Sequence, residues 1–127
     1  MIYLDSCILI YAVEDGPFTE RVRHAIEDAA DTVFAISPLV ELECLVGPLR
    51  VKDLGLVDRY RDRFREFRSL EADRDAYLRA AELRAAHGLK TVDALHLAIA
   101  QLAGCEALWT NDDRLHAASR GLAVRLT

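Results

Sequence analysis

Ile2-Tyr3-Leu4-Asp5-Ser6 is an apolar triplet that ends on an acid and a small hydroxyl. Three consecutive apolar residues without alternation read as a strand buried on both faces, the kind parallel sheets use. Residues 6–13 continue as a short helix that Ser6 caps. Gly16-Pro17 breaks the pattern, and Thr19 to about Asp31 then carries Val22, Ala25, Ile26 and Ala29 on one helical face.

The same strand–helix beat recurs along the chain. Residues 33–36 form a second short strand, and Ser37-Pro38 starts a helix with a capping residue followed by proline at its first position. That helix is expected to reach about Val46 and stop at Gly47-Pro48. Lys52 to Gly55 reads as a loop, and Leu56 to Arg68 as a third long helix with Val57, Tyr60, Phe64 and Phe67 on its apolar side. A strand at 69–71 follows, then a helix from Asp73 or Arg74 to His87 that ends at Gly88. Thr91 is expected to cap a helix running from Val92 to about Ala103. A strand at 107–109, a helix at 112–119 and a strand at 122–125 complete the pattern.

Alternation of this kind predicts an α/β fold: a mostly parallel central sheet of about four or five strands, flanked by helices on both faces. Residues 1–127 are expected to form a single domain, since no repeat, low-complexity tract or linker is visible. An apolar content of 52% supports a packed core and argues against disorder. Sixteen basic against 21 acidic residues give a net charge of −5, which does not announce a nucleic-acid binder. Cys7, Cys44 and Cys105 are scattered and show no zinc-ligand spacing, so they read as small core residues of a reduced protein. Met1 leads straight into the first strand and no apolar run approaches a membrane span. The expectation is a cytoplasmic chain with no membrane association.

Four acids stand out by placement: Asp5, Glu43, Asp93 and Asp112. Taken singly, the three aspartates read as helix caps and Glu43 as a solvated side chain. Yet Asp93 opens Val92-Asp93-Ala94-Leu95-His96-Leu97-Ala98-Ile99-Ala100, the most hydrophobic helix in the chain, where a charge needs a reason. Ligands of such sheets bind at the carboxyl ends of the strands. Four carboxylates gathered there would suit a hard divalent cation, and such a cation suits phosphate chemistry. Glu41 and Glu43 lie about 200° apart on their helix, and periodicity leaves open which of them faces the site.

These pieces together resemble a PIN domain, and within that group the VapC-type toxin ribonucleases of bacterial toxin–antitoxin pairs. The resemblance rests on Ile2-Tyr3-Leu4-Asp5-Ser6 with Leu9-Ile10-Tyr11, and on Ile36-Ser37-Pro38-Leu39-Val40-Glu41-Leu42-Glu43 ending at Gly47. It rests also on Thr91-Val92-Asp93-Ala94-Leu95-His96-Leu97-Ala98 and on Trp109-Thr110-Asn111-Asp112. It places the family's first and third acids on Asp5 and Asp93, its second on Glu43 rather than Glu41, and its fourth on Asp112, with Asp113 the alternative. It implies a magnesium- or manganese-dependent endoribonuclease that cuts RNA, is usually a homodimer, and is inhibited by a cognate antitoxin laid along an apolar groove.

In this reading Asp5, Glu43, Asp93 and Asp112 are the catalytic, metal-holding residues. Ser6 and Thr110 would hydrogen-bond ligands or phosphate, the alternative being backbone capping; Lys90 would touch the substrate backbone, the alternative being a solvated lysine. His96 reads as a packed core histidine. Arg59, Arg61, Arg63, Arg65 and Arg68 read first as a solvated face paired with Asp58, Asp62 and Glu66, and second as a phosphate-tracking stripe. Two other classes compete with the nuclease. One is a PIN-like module that binds RNA or protein without chemistry, against which four retained acids argue. The other is a phosphatase with an aspartate nucleophile, but Asp5-Ser6-Cys7-Ile8 lacks a second Asp two residues on.

Overall fold

The computed structural model describes residues 1–126. Five strands pair in parallel in the order β3-β2-β1-β4-β5. They are β1 (Ile2–Leu4), β2 (Phe34–Ile36), β3 (Arg68–Ser69), β4 (Ala107–Thr110) and β5 (Ala123–Arg125). The helices are α1 (Ser6–Val13), α2 (Thr19–Asp28), α3 (Pro38–Arg50), α4 (Leu54–Phe64), α5 (Arg74–His87), α6 (Thr91–Leu102) and α7 (Asp113–Ala118). The chain works outward from β1 to β3, then returns to the other side of β1 for β4 and β5. Parallel crossovers are right-handed, so this reversal puts α1–α4 on one face and α5–α7 on the other. Packing agrees: α1 touches α2, α3 and α4, while α6 touches α5 and α7.

Burial follows the expected strand pattern. Tyr3 and Leu4 of β1, Ala35 of β2 and Leu108 of β4 are wholly buried, as the middle of a sheet covered on both faces requires. The edge strand β3 is exposed, and so are two of the three residues of β5. In α6 every residue from Ala94 to Ala100 is buried. Leu108 sits on β4 between β1 and β5. Leu108→Ala is expected to cost about 2–5 kcal/mol of stability, seen as a lower urea midpoint with an unchanged slope.

Several boundaries differ from the sequence reading, each for a local reason. Gly47-Pro48 does not stop α3, which runs on to Arg50. Pro48 is buried, and the helix ends where Lys52 takes a left-handed φ of 56°. The Asp53 amide then donates to the Pro48 carbonyl at 2.9 Å. Leu54 and Gly55 belong to α4 rather than a loop, because the Asp53 side chain caps the Leu56 amide at 3.1 Å. That helix closes at Phe64, four residues early, because β3 pairs from Arg68 rather than Ser69. Thr91 does not cap α6 but is its first residue; Lys90 holds the cap position without a side-chain bond. Ser6 likewise opens α1 while Asp5 caps it. Among the described residues, no helix is long and apolar enough to cross a membrane.

Candidate active site

Parallel strands put their carboxyl ends on one edge, and β1 and β4 are neighbours at the point where the strand order reverses. A crevice opens at such a reversal. Asp5 leaves the end of β1 and Asp112 follows β4 by two residues. Glu43 reaches in from α3 and Asp93 from the first turn of α6.

Asp5 is 6% exposed and is held from both sides. Its Oδ1 accepts the Ser6 amide at 2.7 Å and the Ser6 hydroxyl at 3.4 Å. Its Oδ2 accepts the Thr110 hydroxyl at 2.8 Å. Thr110 Oγ1 in turn accepts the Asp112 amide at 3.0 Å, so one threonine ties the ends of β1 and β4 together. Asp112 Oδ1 caps α7 through the Leu115 amide at 3.0 Å. Asp5 and Asp112 are therefore helix caps and members of the acidic group at once. Asp113 turns away, its carboxylate 2.6 Å from Arg125.

Asp93 has its carboxyl pKa raised, first by desolvation, then by the charges of Asp112 and Asp5; His96 opposes the rise and Glu43 adds to it. Asp112, Asp5 and Glu43 thus each bear on Asp93, although the four acids come from different parts of the chain. Among the described residues, arginines pair with Asp15, Asp62, Glu66, Glu82 and Asp113. Lys90 is exposed at the entrance to α6.

Asp5, Glu43 and His96 each offer a ligand atom within 4.8 Å of the others, a grouping able to hold a metal ion. The donor set is mostly carboxylate oxygen, which suits Mg²⁺ or Mn²⁺. Cys7 Sγ lies 3.7 Å from Asp5 Oδ2, and burial pushes its thiol pKa up to about 12.

His96 is wholly buried, as read from the sequence, yet it is not inert packing. Nε2 lies 2.5 Å from Glu43 Oε1 and 3.7 Å from Asp5 Oδ1, and Nδ1 lies 2.7 Å from the Tyr3 hydroxyl. A buried imidazole requires partners, and His96 stands one turn after Asp93 on an otherwise apolar face; that was the available signal. Asn111 was also missed as a contact: its amide donates to the Tyr11 hydroxyl at 2.6 Å. Tyr60 and Phe64 are core residues. Of the arginines on and after α4, Arg63 pairs with Glu66 and covers the Phe67 ring, and Arg65 pairs with Asp62.

Residues 2–121 match the family model of the PIN domain. The chain belongs to the PIN domain family. No match was found among curated protein sequences. Among solved structures, this PIN domain is similar to a toxin–antitoxin complex from Klebsiella pneumoniae, at 28% identity and a TM-score of 0.83 over 100% of this chain and 98% of that one. FitAcB from Neisseria gonorrhoeae superposes with a TM-score of 0.84 at 20% identity, over 99% and 98% of the two chains. VapC20 from Mycobacterium tuberculosis, a toxin that cleaves the sarcin–ricin loop, gives 0.77 at 18% identity over 93% and 95%. These last two likenesses concern the fold alone.

Proposed function

We propose that this PIN domain is a Mg²⁺- or Mn²⁺-dependent endoribonuclease and the toxin of a toxin–antitoxin pair. The observation that carries the reading is Asp93: its carboxyl pKa is raised first by desolvation and then by the charges of Asp112, Asp5 and Glu43, with only His96 opposing, in a cluster that no lysine or arginine ion pair neutralises among the described residues. Such mutual repulsion makes sense where a cation belongs. Against a binding module without chemistry stands the cost of holding four like charges together.

Asp5 and Asp93 are the most direct ligands in this reading, with Asp112 and Glu43 ligating directly or through water. Mg²⁺ or Mn²⁺ held by these residues would lower the pKa of a water and offset charge on the phosphate. Thr110 and Ser6 keep the Asp5 carboxylate from rotating, since each donates to one of its oxygens. Water attack on phosphorus in line with the leaving 3′ oxygen requires no RNA 2′-hydroxyl. Lys90, exposed at the cap position of α6, would contact the substrate backbone in this reading.

The partner reading has separate support. Leu42, Val46 and Leu49 form an exposed stripe along α3, and the groove beside it is lined by Leu39, Tyr77, Leu95 and Ile99. An apolar excess of this kind marks a protein-binding face. The similar Klebsiella structure is a complex of toxin with antitoxin. A cognate antitoxin and a second copy of the chain are the proposed partners, and the proposed compartment is the cytoplasm.

The test is RNA cleavage by purified protein stripped of metal. Cutting is expected on adding Mg²⁺ or Mn²⁺ and is expected to stop in EDTA. Undiminished cutting in EDTA would end the metal reading.

A further inference from the structure

We propose that His96 is the positioning residue for Glu43, the end of a buried hydrogen-bonded relay that starts at Ser37 and passes through Tyr3. The inference rests on the reading of the four acids as a metal centre. The relay spans three elements. Ser37 caps α3, its Oγ accepting the Val40 amide at 3.4 Å and lying 2.7 Å from the Tyr3 hydroxyl on β1. Tyr3 reaches His96 Nδ1 at 2.7 Å on α6, and His96 Nε2 reaches Glu43 Oε1 at 2.5 Å. Ser37, Tyr3 and His96 are each 0% exposed.

The direction of the protons follows from the end of the chain. A carboxylate has no proton to give, so Nε2–H donates to Glu43. For the neutral ring, Nδ1 is then an acceptor and Tyr3 donates to it. Tyr3 is a phenol, protonated at neutral pH, and has the proton to give. Ser37 donates to the Tyr3 oxygen. Each group has one partner on each side, and none of these buried polar atoms is left over.

Glu43 needs such a hold. Its side chain is 30% exposed, and a glutamate at a helix surface loses rotamer freedom when fixed in one pose. The relay selects the pose that faces Asp5. It also explains why Glu43 rather than Glu41 joins the acids, a choice that helix periodicity left open. His96 Nε2 lies in the grouping that could hold a metal ion, but both its ring nitrogens are already engaged, so in this proposal the imidazole acts through Glu43 rather than as a ligand. Partners behind a ligand typically change metal affinity by about 10- to 100-fold when removed.

The experiment is calorimetric titration of Mn²⁺ into wild type, His96→Leu, His96→Gln and Tyr3→Phe, each shown folded by circular dichroism. His96→Leu is expected to weaken Mn²⁺ binding by about 10- to 100-fold. His96→Gln is expected to restore most of it, because its amide N–H can donate to Glu43. In a Glu43→Ala background His96→Leu is expected to cost nothing more, as coupled residues do not add. Pulsed EPR of the Mn²⁺-loaded protein is expected to show no directly bonded imidazole nitrogen. Wild-type affinity in folded His96→Leu, additive losses, or a nitrogen bonded to Mn²⁺ would each overturn the assignment. Should His96→Leu fail to fold, Tyr3→Phe decides: weakened binding supports the relay and wild-type affinity overturns it. A wild-type protein that binds no Mn²⁺ would overturn the metal-centre reading itself, and the relay's role with it.

Discussion

In EDTA at neutral pH, Asp93→Asn is expected to melt higher than the wild-type chain, while losing RNA cleavage in Mg²⁺ by about 10²- to 10³-fold or more. The two effects have opposite signs because the same charge does two things. The Asp93 carboxyl pKa is raised in the fold, by desolvation and then by Asp112 and Asp5. The native state therefore holds that proton to higher pH than the unfolded chain does. Stability falls as pH rises from the ordinary carboxyl value of 3.8 through the raised native value, and the penalty is fully present above it. The neutral amide carries no such penalty. Divalent metal reverses the comparison. Wild type is expected to gain about 1.4 kcal/mol at roughly ten times the dissociation constant, near 5 °C for a domain of this size. The mutant is expected to gain much less. Paired thermal melts with and without Mg²⁺ measure all four numbers. An Asp93→Asn protein that is less stable in EDTA and responds normally to Mg²⁺ would make Asp93 a structural residue of α6 only.

Expression of the wild-type chain alone in a bacterial host is expected to arrest growth. Asp5→Asn is expected to remove the arrest, because Asp5 joins the ends of β1 and β4 through Thr110 and faces the other acids. Coexpression with a cognate antitoxin is expected to restore growth and to yield a stable complex on purification. The exposed leucines and valine of α3 give such a partner apolar area to cover. Harmless expression of the wild type, with no partner retained, would remove the support for the toxin role and leave the nuclease reading standing by itself.

Much of the fold was legible because buried strands and helix caps are local signals. Ile2-Tyr3-Leu4 and Ala107-Leu108-Trp109 announce themselves as apolar runs, and Ser37 and Gly88 mark a helix start and a helix end. What local reading lost was decided by packing. Gly47-Pro48 looks like a stop, but buried Pro48 stays in the helix and left-handed Lys52 ends it. The site divides the same way. Asp5 and Asp93 are conspicuous as charges at the edges of apolar segments. Asp112 and Asp113 are adjacent and alike in sequence; the fold separates them, Asp112 capping α7 and bearing on Asp93 while Asp113 pairs with Arg125. Glu41 and Glu43 were indistinguishable by period, because the choice depends on His96, 53 residues further on. Tyr3 and Ser37 read as ordinary strand and cap residues; their shared hydrogen bond spans 34 positions and has no local trace.

The measurement that tests the nuclease account most directly is end-group analysis of cleaved RNA, with metal-stripped protein and added Mg²⁺ or Mn²⁺. Water attack with a leaving 3′ oxygen predicts 5′-phosphate and 3′-hydroxyl ends, and continued cutting of an oligonucleotide with a single 2′-deoxy sugar at the scissile position. Products ending in a 2′,3′-cyclic phosphate, formed equally well in EDTA and blocked by that 2′-deoxy sugar, would contradict it.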